Sequence, residues 1–419
     1  MTQLIAPPAA TTAAAAPHPR SALRRTPGRM RIAGVVAVLA SLAVGVLGVR
    51  AGLAQSSALA SADADTQQLV GIQDVRNDLV VADATATNAF LVGGLEPPEQ
   101  RARYNASIDA AANGLAALSG SNEADASKLG KAAAALTTYT GLVEQARANN
   151  RQGFPVGAAY LDQASTVLRT DVLPELDALV DTNSARVDAS FDSVGSTPWI
   201  LALALISLIA FVLVQTWLAR RTHRRLNAGL FWATILALAA TVAGAVVLGS
   251  TARNAADVRS GTYADTVAVS RAYSLANDAK SMESFTLIKR GSGAAYEEQF
   301  VAETTEARTL LASVDDALVQ SLDDWTAAHE QIRTLDDGGQ WDEAVALAIS
   351  TGPGSPNAAF ETFSTAASTS LEASAAQTHD ALSGAGTSAV LVGWIILVAG
   401  LLAAVLSWRG ISKRVEEYR

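Results

Sequence analysis

The chain has 419 residues, of which 50% are hydrophobic and only 5% aromatic, and its formal net charge is −9. Abundant Ala and few aromatic residues favour long, closely packed helices over sheets. The chain has no cysteine, which excludes disulfides, thiolate metal sites and cysteine nucleophiles.

The first predicted elements are a basic tail, residues 1–31, and an apolar segment, residues 32–53. A membrane-spanning helix needs about 20 largely apolar residues, and Ile32–Val49 contains no charged residue. A basic stretch before an apolar core is also typical of a cleaved signal peptide. We favour a spanning helix, because the second half of the chain repeats this layout with a segment that cannot be a signal peptide.

Residues 54–197 are predicted to form a four-helix bundle outside the cytoplasm. Gly93-Gly94 with Pro97-Pro98, Ser119–Asn122 and Gly153–Pro155 predict its three helix breaks. Apolar residues in its first helix recur at alternating steps of three and four, which is the spacing of a buried bundle face. These residues are Ile72, Val75, Leu79, Ala82, Ala86 and Ala89.

The remaining segments complete an all-α protein with four transmembrane helices and two tandem extracytoplasmic four-helix bundles. They are a span at 198–219, a basic loop at 220–227, a span at 228–250, a second bundle at 251–387, a span at 388–408 and a tail at 409–419. In the second bundle, breaks are predicted at Gly291–Gly293, Gly338-Gly339 and Gly352–Pro356. Its first helix has a similar apolar seam of Ala268, Ala272, Leu275, Ala279, Met282 and Thr286.

Charge sets the predicted orientation. The tail, the loop and the C-terminal segment hold thirteen of the 31 basic residues and only two acids, which leaves 18 basic and 38 acidic residues elsewhere. By the positive-inside rule, these three segments are cytoplasmic, so the chain is a multi-pass plasma-membrane protein with both termini inside. The four arginines of the loop are what orientation alone requires, so no nucleic-acid partner is predicted.

The two outside blocks are predicted to be copies of one unit. The stretch Tyr139–Gly153 matches Trp325–Gly339 at a constant offset of 186 positions. A weaker match relates Asp83 to Asp278. We interpret Tyr139 and Trp325 as core aromatics rather than ligand-stacking groups, and the two aspartates as either interior or exposed.

A polar cluster at the predicted end of the third helix is the candidate binding site for a ligand or partner. It comprises Glu144, Arg147, Asn149, Asn150 and Arg151, in a region where arginines are scarce. The arginine fork suits a carboxylate of a ligand or of a partner protein. The simpler alternative is a solvated helix end with an intrahelical Glu–Arg pair. In the second copy, Glu330 and Arg333 are the matching residues.

The sequence contains no paired catalytic carboxylates, nucleophile elbow, phosphate loop or metal cluster. We therefore predict a protein that is not an enzyme and has no cofactor or metal. The C-terminal tail is too short for a kinase or cyclase, so any signal must reach a separate cytoplasmic partner.

Three stretches resemble an actinobacterial membrane-protein family, the GlnX-like proteins: Ala82–Gln100, Ala148–Tyr160 and Glu416–Arg419. The helix pattern is also similar to the four-helix sensor bundles of chemoreceptors. The GlnX-like resemblance implies amino-acid sensing, in which an extracytoplasmic lipoprotein that binds aspartate or glutamate contacts the bundles. It further implies a cytoplasmic serine/threonine kinase as the recipient of the signal.

Two other functions remain open at this stage. One is an accessory or scaffold subunit of an amino-acid transporter, and the other is a transporter or channel, which the uncharged spans disfavour. The sequence does not decide whether the chain forms a homodimer.

Overall fold

The computed structural model describes residues 26–92, 96–121, 123–153, 155–195, 198–222 and 227–416. Over these ranges the chain is helical and contains no strand. The helices are α1 Thr26–Val92, α2 Pro98–Ser121, α3 Ala126–Arg151, α4 Val156–Val167, a π-helix Leu168–Val172, α5 Leu173–Val194, α6 Pro198–Thr222, α7 Ala228–Ser260, α8 Thr262–Ile288, α9 Ala294–Leu311, α10 Asp316–Asp337, α11 Trp341–Ala348 and α12 Pro356–Glu416.

Several predicted positions lie outside the described residues. They are residues 1–25 of the basic tail, Gly93-Gly94, Asn122, Phe154, residues 223–226 of the basic loop and 417–419 of the C-terminal tail. The elements on either side of the predicted breaks are described: α1 ends at Val92, α3 at Arg151, α8 at Ile288 and α10 at Asp337.

Glycines in the left-handed region follow two of these helix ends. Gly153 has a φ of 71° and lies two residues beyond α3, and Gly339 has a φ of 79° and lies two residues beyond α10. A residue without a Cβ adopts this conformation at little cost, which is why glycine commonly terminates helices.

Contacts divide the chain into two compact units. The first, which we call the apolar unit, comprises residues 1–55, 197–250 and 388–419. The large hydrophobic side chains that are exposed in the described residues lie in this unit, apart from Val156 and Val301. Such exposure is expected of side chains that face lipid rather than water.

Small residues let the helices of the apolar unit approach closely. A Cβ on Gly400 would lie 2.7 Å from the Cα of Gly45, which joins α12 to α1. A Cβ on Gly229 would lie 2.7 Å from the Cα of Gly410, which joins α7 to α12. Glycine pairs of this kind allow backbone contact between membrane helices.

Three helical stretches are long and apolar enough to cross a membrane: Gly28–Val92, Ala228–Ile288 and Pro356–Lys413. A further apolar stretch, Leu205–Arg220 in α6, is shorter. Three candidate spans are therefore clear, and the fourth span stays a prediction.

The second compact unit, which we call the polar unit, comprises residues 56–196 (its first half) and 251–387 (its second half). One hydrophobic core contains residues of both halves, including Leu79, Tyr139, Met282 and Trp325. The predicted seam of α1 is buried at all six positions, whereas Ala268 and Leu275 of the second seam are only partly buried. Tyr139 and Trp325 are fully buried, as expected of core aromatics. The repeat itself stays a prediction.

Candidate functional site

The predicted polar cluster at the end of α3 lies beside a cavity of about 350 Å³. Glu144, Arg147, Asn150 and Arg151 line this cavity, together with residues from the end of α1, the start of α2 and α4. We call it the α3 cavity. Its volume is at the lower end of the range for small-molecule pockets, roughly 300–1,000 Å³.

Arg147 is the most buried charged group of the α3 cavity, with only 10% of its side chain exposed. Its guanidinium donates to Glu96 and to Glu144, each at 2.8 Å. The guanidinium carbon also lies 4.0 Å from the centroid of the Tyr104 ring, a cation–π contact. Three partners therefore fix the orientation of Arg147.

A second arginine completes the charged wall. Arg101 from α2 contacts Glu144 at 3.0 Å and Glu96 at 3.5 Å. Two glutamates thus bridge two arginines, and Arg151 adds a third cation to the lining. The lining consequently holds one more positive than negative group.

The rest of the α3 cavity is apolar. Its apolar lining includes Ala86, Ala89, Phe90, Val143, Ala146 and Leu161. Asn150 connects this wall to the charged one, because its side-chain amide donates to the backbone oxygen of Phe90 at 3.2 Å. The cavity therefore offers a charged wall and an apolar wall to the same small occupant.

The other predicted site residues lie elsewhere. Asn149 donates to the backbone oxygen of Gln145 within its own helix, at 2.8 Å. Glu330 is exposed on α10, and Arg333 pairs with Glu297 at 3.4 Å and with Asp336 at 2.7 Å. Glu330 and Arg333 do not line the α3 cavity.

Sequence reasoning missed three residues of the α3 cavity and its shell: Glu96, Arg101 and Tyr104. Glu96 and Arg101 flank Pro97-Pro98 at the start of α2, and that cluster of charge at a helix start was the available signal. Nothing in the local pattern indicates that the start of α2 faces the end of α3, since this contact depends on tertiary packing.

The space beside Trp325 in the second half contains a buried ionic network. Glu283 accepts from the Trp325 indole at 3.3 Å, lies 3.1 Å from His329 Nδ1 and pairs with Lys280. His329 also lies 3.1 Å from Glu297 and stacks on Phe300. Aromatic and charged side chains thus fill this region.

The titrations of this network follow from its contacts. Burial raises the pKa of Glu283, but the charge of Lys280 and the contacts with His329 outweigh it and lower this pKa to about 2. Burial lowers the pKa of His329, but its hydrogen bonds to Glu283 and Glu297 outweigh burial, and the net pKa is raised above its usual value.

A third polar cluster connects the two halves of the polar unit. Arg169, which lies in the π-helix, contacts Asp83 at 3.2 Å and Asp278 at 2.7 Å. Asp83 is fully buried and accepts from Ser165 at 2.6 Å and from Ser281 at 2.7 Å. Of the two aspartates whose location the sequence left open, Asp83 is therefore buried and Asp278 is partly buried. Short π segments occur often at functional positions.

Burial dominates the titration of this third cluster. It raises the pKa of Asp83 above its usual range, and the opposing charge of Arg169 offsets this only in part. On α9, burial and the negative charge of Asp278 raise the pKa of Glu303 to about 9.

Residues 58–192 match the family model of an actinobacterial sensor domain. The matched range contains every residue that lines the α3 cavity. The match supports an actinobacterial sensor protein with a role in sensing or signalling. No curated protein and no solved structure matches the chain.

The described residues contain no group of three His, Cys, Asp or Glu side chains arranged to hold a metal ion. The α3 cavity holds arginines, glutamates and an amide beside an apolar wall. This set of groups suits the binding of a small polar or amphipathic molecule.

Proposed function

We propose that this chain is a non-enzymatic transmembrane signal relay of the plasma membrane. In this proposal, four spans place both termini in the cytoplasm, and two tandem helical bundles face outward. Thirteen basic residues in the three short segments support the orientation. The sensor match supports the role in sensing.

The observation that carries the proposal is the continuity of α1. This 67-residue helix contains both the uncharged segment Ile32–Val49 and residues 58–92 of the sensor match. A change at the outer end of an unbroken helix can travel along it as a shift, tilt or rotation. Helix α1 thus connects the residues of the sensor match to the apolar segment without a break in the helix.

The proposed input is extracellular aspartate or glutamate, presented by an amino-acid-binding lipoprotein, as the GlnX-like resemblance implies. The surplus of 38 acidic over 18 basic residues outside the cytoplasmic segments disfavours direct capture of a free dicarboxylate. Arg151 is exposed at the end of α3, and Asn149 is partly exposed beside it. These two residues are accessible to a protein surface, whereas Arg147 is not. The proposed output is a cytoplasmic serine/threonine kinase.

The test uses the full-length protein in lipid nanodiscs and the purified lipoprotein, with and without aspartate or glutamate. We expect binding that requires the amino acid and that Arg151→Ala weakens. Lys131→Ala is the matched control, because it removes an exposed cation from the other end of the same helix and should leave binding unchanged.

A cellular measurement tests the output. Deletion of the chain should change phosphorylation of the kinase substrates when aspartate or glutamate is added, and the Arg151→Ala variant should respond weakly. An unchanged phosphorylation pattern, combined with co-purification of transporter subunits, would instead establish the accessory-subunit function. Absence of any lipoprotein binding would overturn the proposed input.

A further inference from the structure

The α3 cavity has a net positive lining, although the segments predicted to lie outside the cytoplasm are acidic. Its lining contains Arg101, Arg147 and Arg151 against Glu96 and Glu144, whereas acids outnumber basic residues two to one in those segments. A net positive lining in an acidic surrounding favours the binding of a small anion in this cavity.

The geometry restricts what that anion can be. Arg147 presents a planar fork whose orientation is held by Glu96, Glu144 and the Tyr104 ring. A carboxylate matches this fork with two parallel hydrogen bonds. The apolar part of the lining, formed by Phe90, Leu161 and alanines, has no polar side chain to receive a second charge.

We propose that the α3 cavity directly binds a small monocarboxylate with an apolar side group. The carboxylate takes the place of a glutamate on Arg147 and Arg101, and the apolar group packs against Phe90 and Leu161. An α-amino group, where the ligand has one, is received by the released Glu144 or Glu96. This site goes beyond the proposed lipoprotein input, and Arg151 is the residue that the two proposals share.

Occupancy of the cavity acts on the end of α1. Glu96 precedes α2 by two residues, and Asn150 donates to the backbone oxygen of Phe90 in the last turn of α1. When a ligand carboxylate displaces Glu96 from Arg147, one of the ionic contacts between α3 and the start of α2 is removed, while Arg101 of α2 still contacts Glu144 of α3. The apolar group of the ligand contacts Phe90, which lies in the last turn of the helix that contains the first apolar segment.

The test measures binding to the full chain in nanodiscs by isothermal titration calorimetry. Four probes separate the chemical requirements: leucine, 4-methylpentanoate (the same skeleton without the amino group), leucinol (without the carboxylate) and glutamate (with a second carboxylate). We expect leucine or 4-methylpentanoate to bind, and leucinol and glutamate to bind at least about tenfold more weakly. The comparison of the first two probes shows whether the amino group is recognised.

Two variants locate the binding. Arg147→Gln removes the fork and should weaken binding by about ten- to a hundredfold. Ala89→Leu fills the apolar wall without a change in charge and should also weaken binding. Arg333→Gln is the matched control, since it removes a partly buried arginine near the end of α10 and should leave the affinity unchanged.

Three results would overturn the proposal: no heat of binding with any monocarboxylate, equal affinity for glutamate, or unchanged affinity in both cavity variants. A folded state of each variant is verified by its cooperative unfolding transition. The lipoprotein assay with Arg151→Ala is separate, so failure of this site leaves that result unaffected.

Discussion

At the scale of single residues, Arg169 is a buried charged group that joins the two halves of the polar unit. It is shared between Asp83 and Asp278, whose side chains are 1% and 17% exposed. An ion pair at such depth contributes little net stability relative to apolar residues, but removal of one partner leaves a buried charge without compensation. The intact cluster therefore adds little to the free energy of unfolding, whereas loss of one partner lowers that free energy strongly.

Substitution of Arg169 by methionine should destabilise the protein by roughly 3–5 kcal/mol, the usual cost of breaking a buried pair. The loss should be smaller at pH 5 than at pH 8, because burial already raises the pKa of Asp83 and protonation removes its unpaired charge. Chemical denaturation in detergent micelles measures the change. Arg271→Met, which breaks an exposed pair with Glu306, should cost under about 1 kcal/mol. Equal losses for the two variants would contradict this account.

His329 should make stability depend on pH. Its pKa in the folded state is raised above 6.5 by Glu283 and Glu297 despite burial. The stabilisation is therefore fully present below about pH 6.5 and is lost as pH rises through the folded-state pKa. Glu283, with a pKa lowered to about 2, contributes stability above about pH 4.5 that is lost as pH falls towards 2.

The measurement compares the unfolding midpoints of the wild type and of His329→Gln between pH 5 and pH 9. Glu283 and Glu297 contact the imidazole, and Lys280 and Trp325 contact Glu283. All four residues are the same in both proteins. The advantage of the wild type should be largest near pH 5 to 6 and should shrink as pH rises. A difference that stays constant over this range would show that His329 does not titrate in the folded protein.

Part of the candidate site could be predicted from the sequence. Arg147 and Asn150 stand out because polar residues are dense at one helix end, and the structure brings both to a cavity. Glu96 and Arg101 lie about fifty residues away in the sequence. Tertiary packing alone brings Glu96 to Arg147 and Arg101 to Glu144. Local patterns do not encode such contacts.

At the scale of elements, the buried face of α1 follows from its sequence alone. The alternating steps of three and four from Ile72 to Ala89 place six small or aliphatic side chains on one side, and all six are buried. The π-helix Leu168–Val172 was not predicted, because its residues have no pattern that differs from an ordinary helix. Its position depends on tertiary contacts, in which Arg169 reaches Asp83 and Asp278.

The glycine pair between α1 and α12 gives a prediction for the apolar unit. In Gly400→Ala, the new Cβ would lie 2.7 Å from the Cα of Gly45, so the two helices must separate. We expect a loss of roughly 1–3 kcal/mol, as for overpacked cores, seen as a lower thermal midpoint in nanodiscs. Gly130→Ala on α3, where nothing lies within 4 Å of the new Cβ, should be neutral or stabilising. A midpoint that Gly400→Ala does not lower would mean that the helices are not in contact there.

At the scale of the whole molecule, the sequence predicted two tandem four-helix bundles, and the structure places both blocks in one compact unit. A helical seam shows which face is buried but not what covers it. The covering contacts are long-range: Arg103 pairs with Glu361 at 2.9 Å, and Asp162 accepts from Tyr296 at 2.6 Å. No periodicity in either block indicates these partners.

The shared core gives the last prediction, which concerns the two halves expressed separately. Residues 56–196 alone would expose core side chains that the second half covers, and Arg169 would lose Asp278. Each half alone should therefore lack a cooperative unfolding transition and tend to aggregate, because exposed apolar surface promotes association. The control joins Ser56–Ser196 to Thr251–Thr387 through a flexible linker and should unfold cooperatively in circular dichroism.

Co-expression of the two unlinked halves tests whether the contacts between them stabilise the fold. If the contacts between them are the source of stability, the halves should co-purify as a one-to-one complex, and Arg103→Ala with Arg169→Met should reduce its yield. A first half that is monomeric and unfolds cooperatively on its own would contradict the prediction. In that case, the match at 58–192 would correspond to an independent domain, and ligand binding could be measured on it directly.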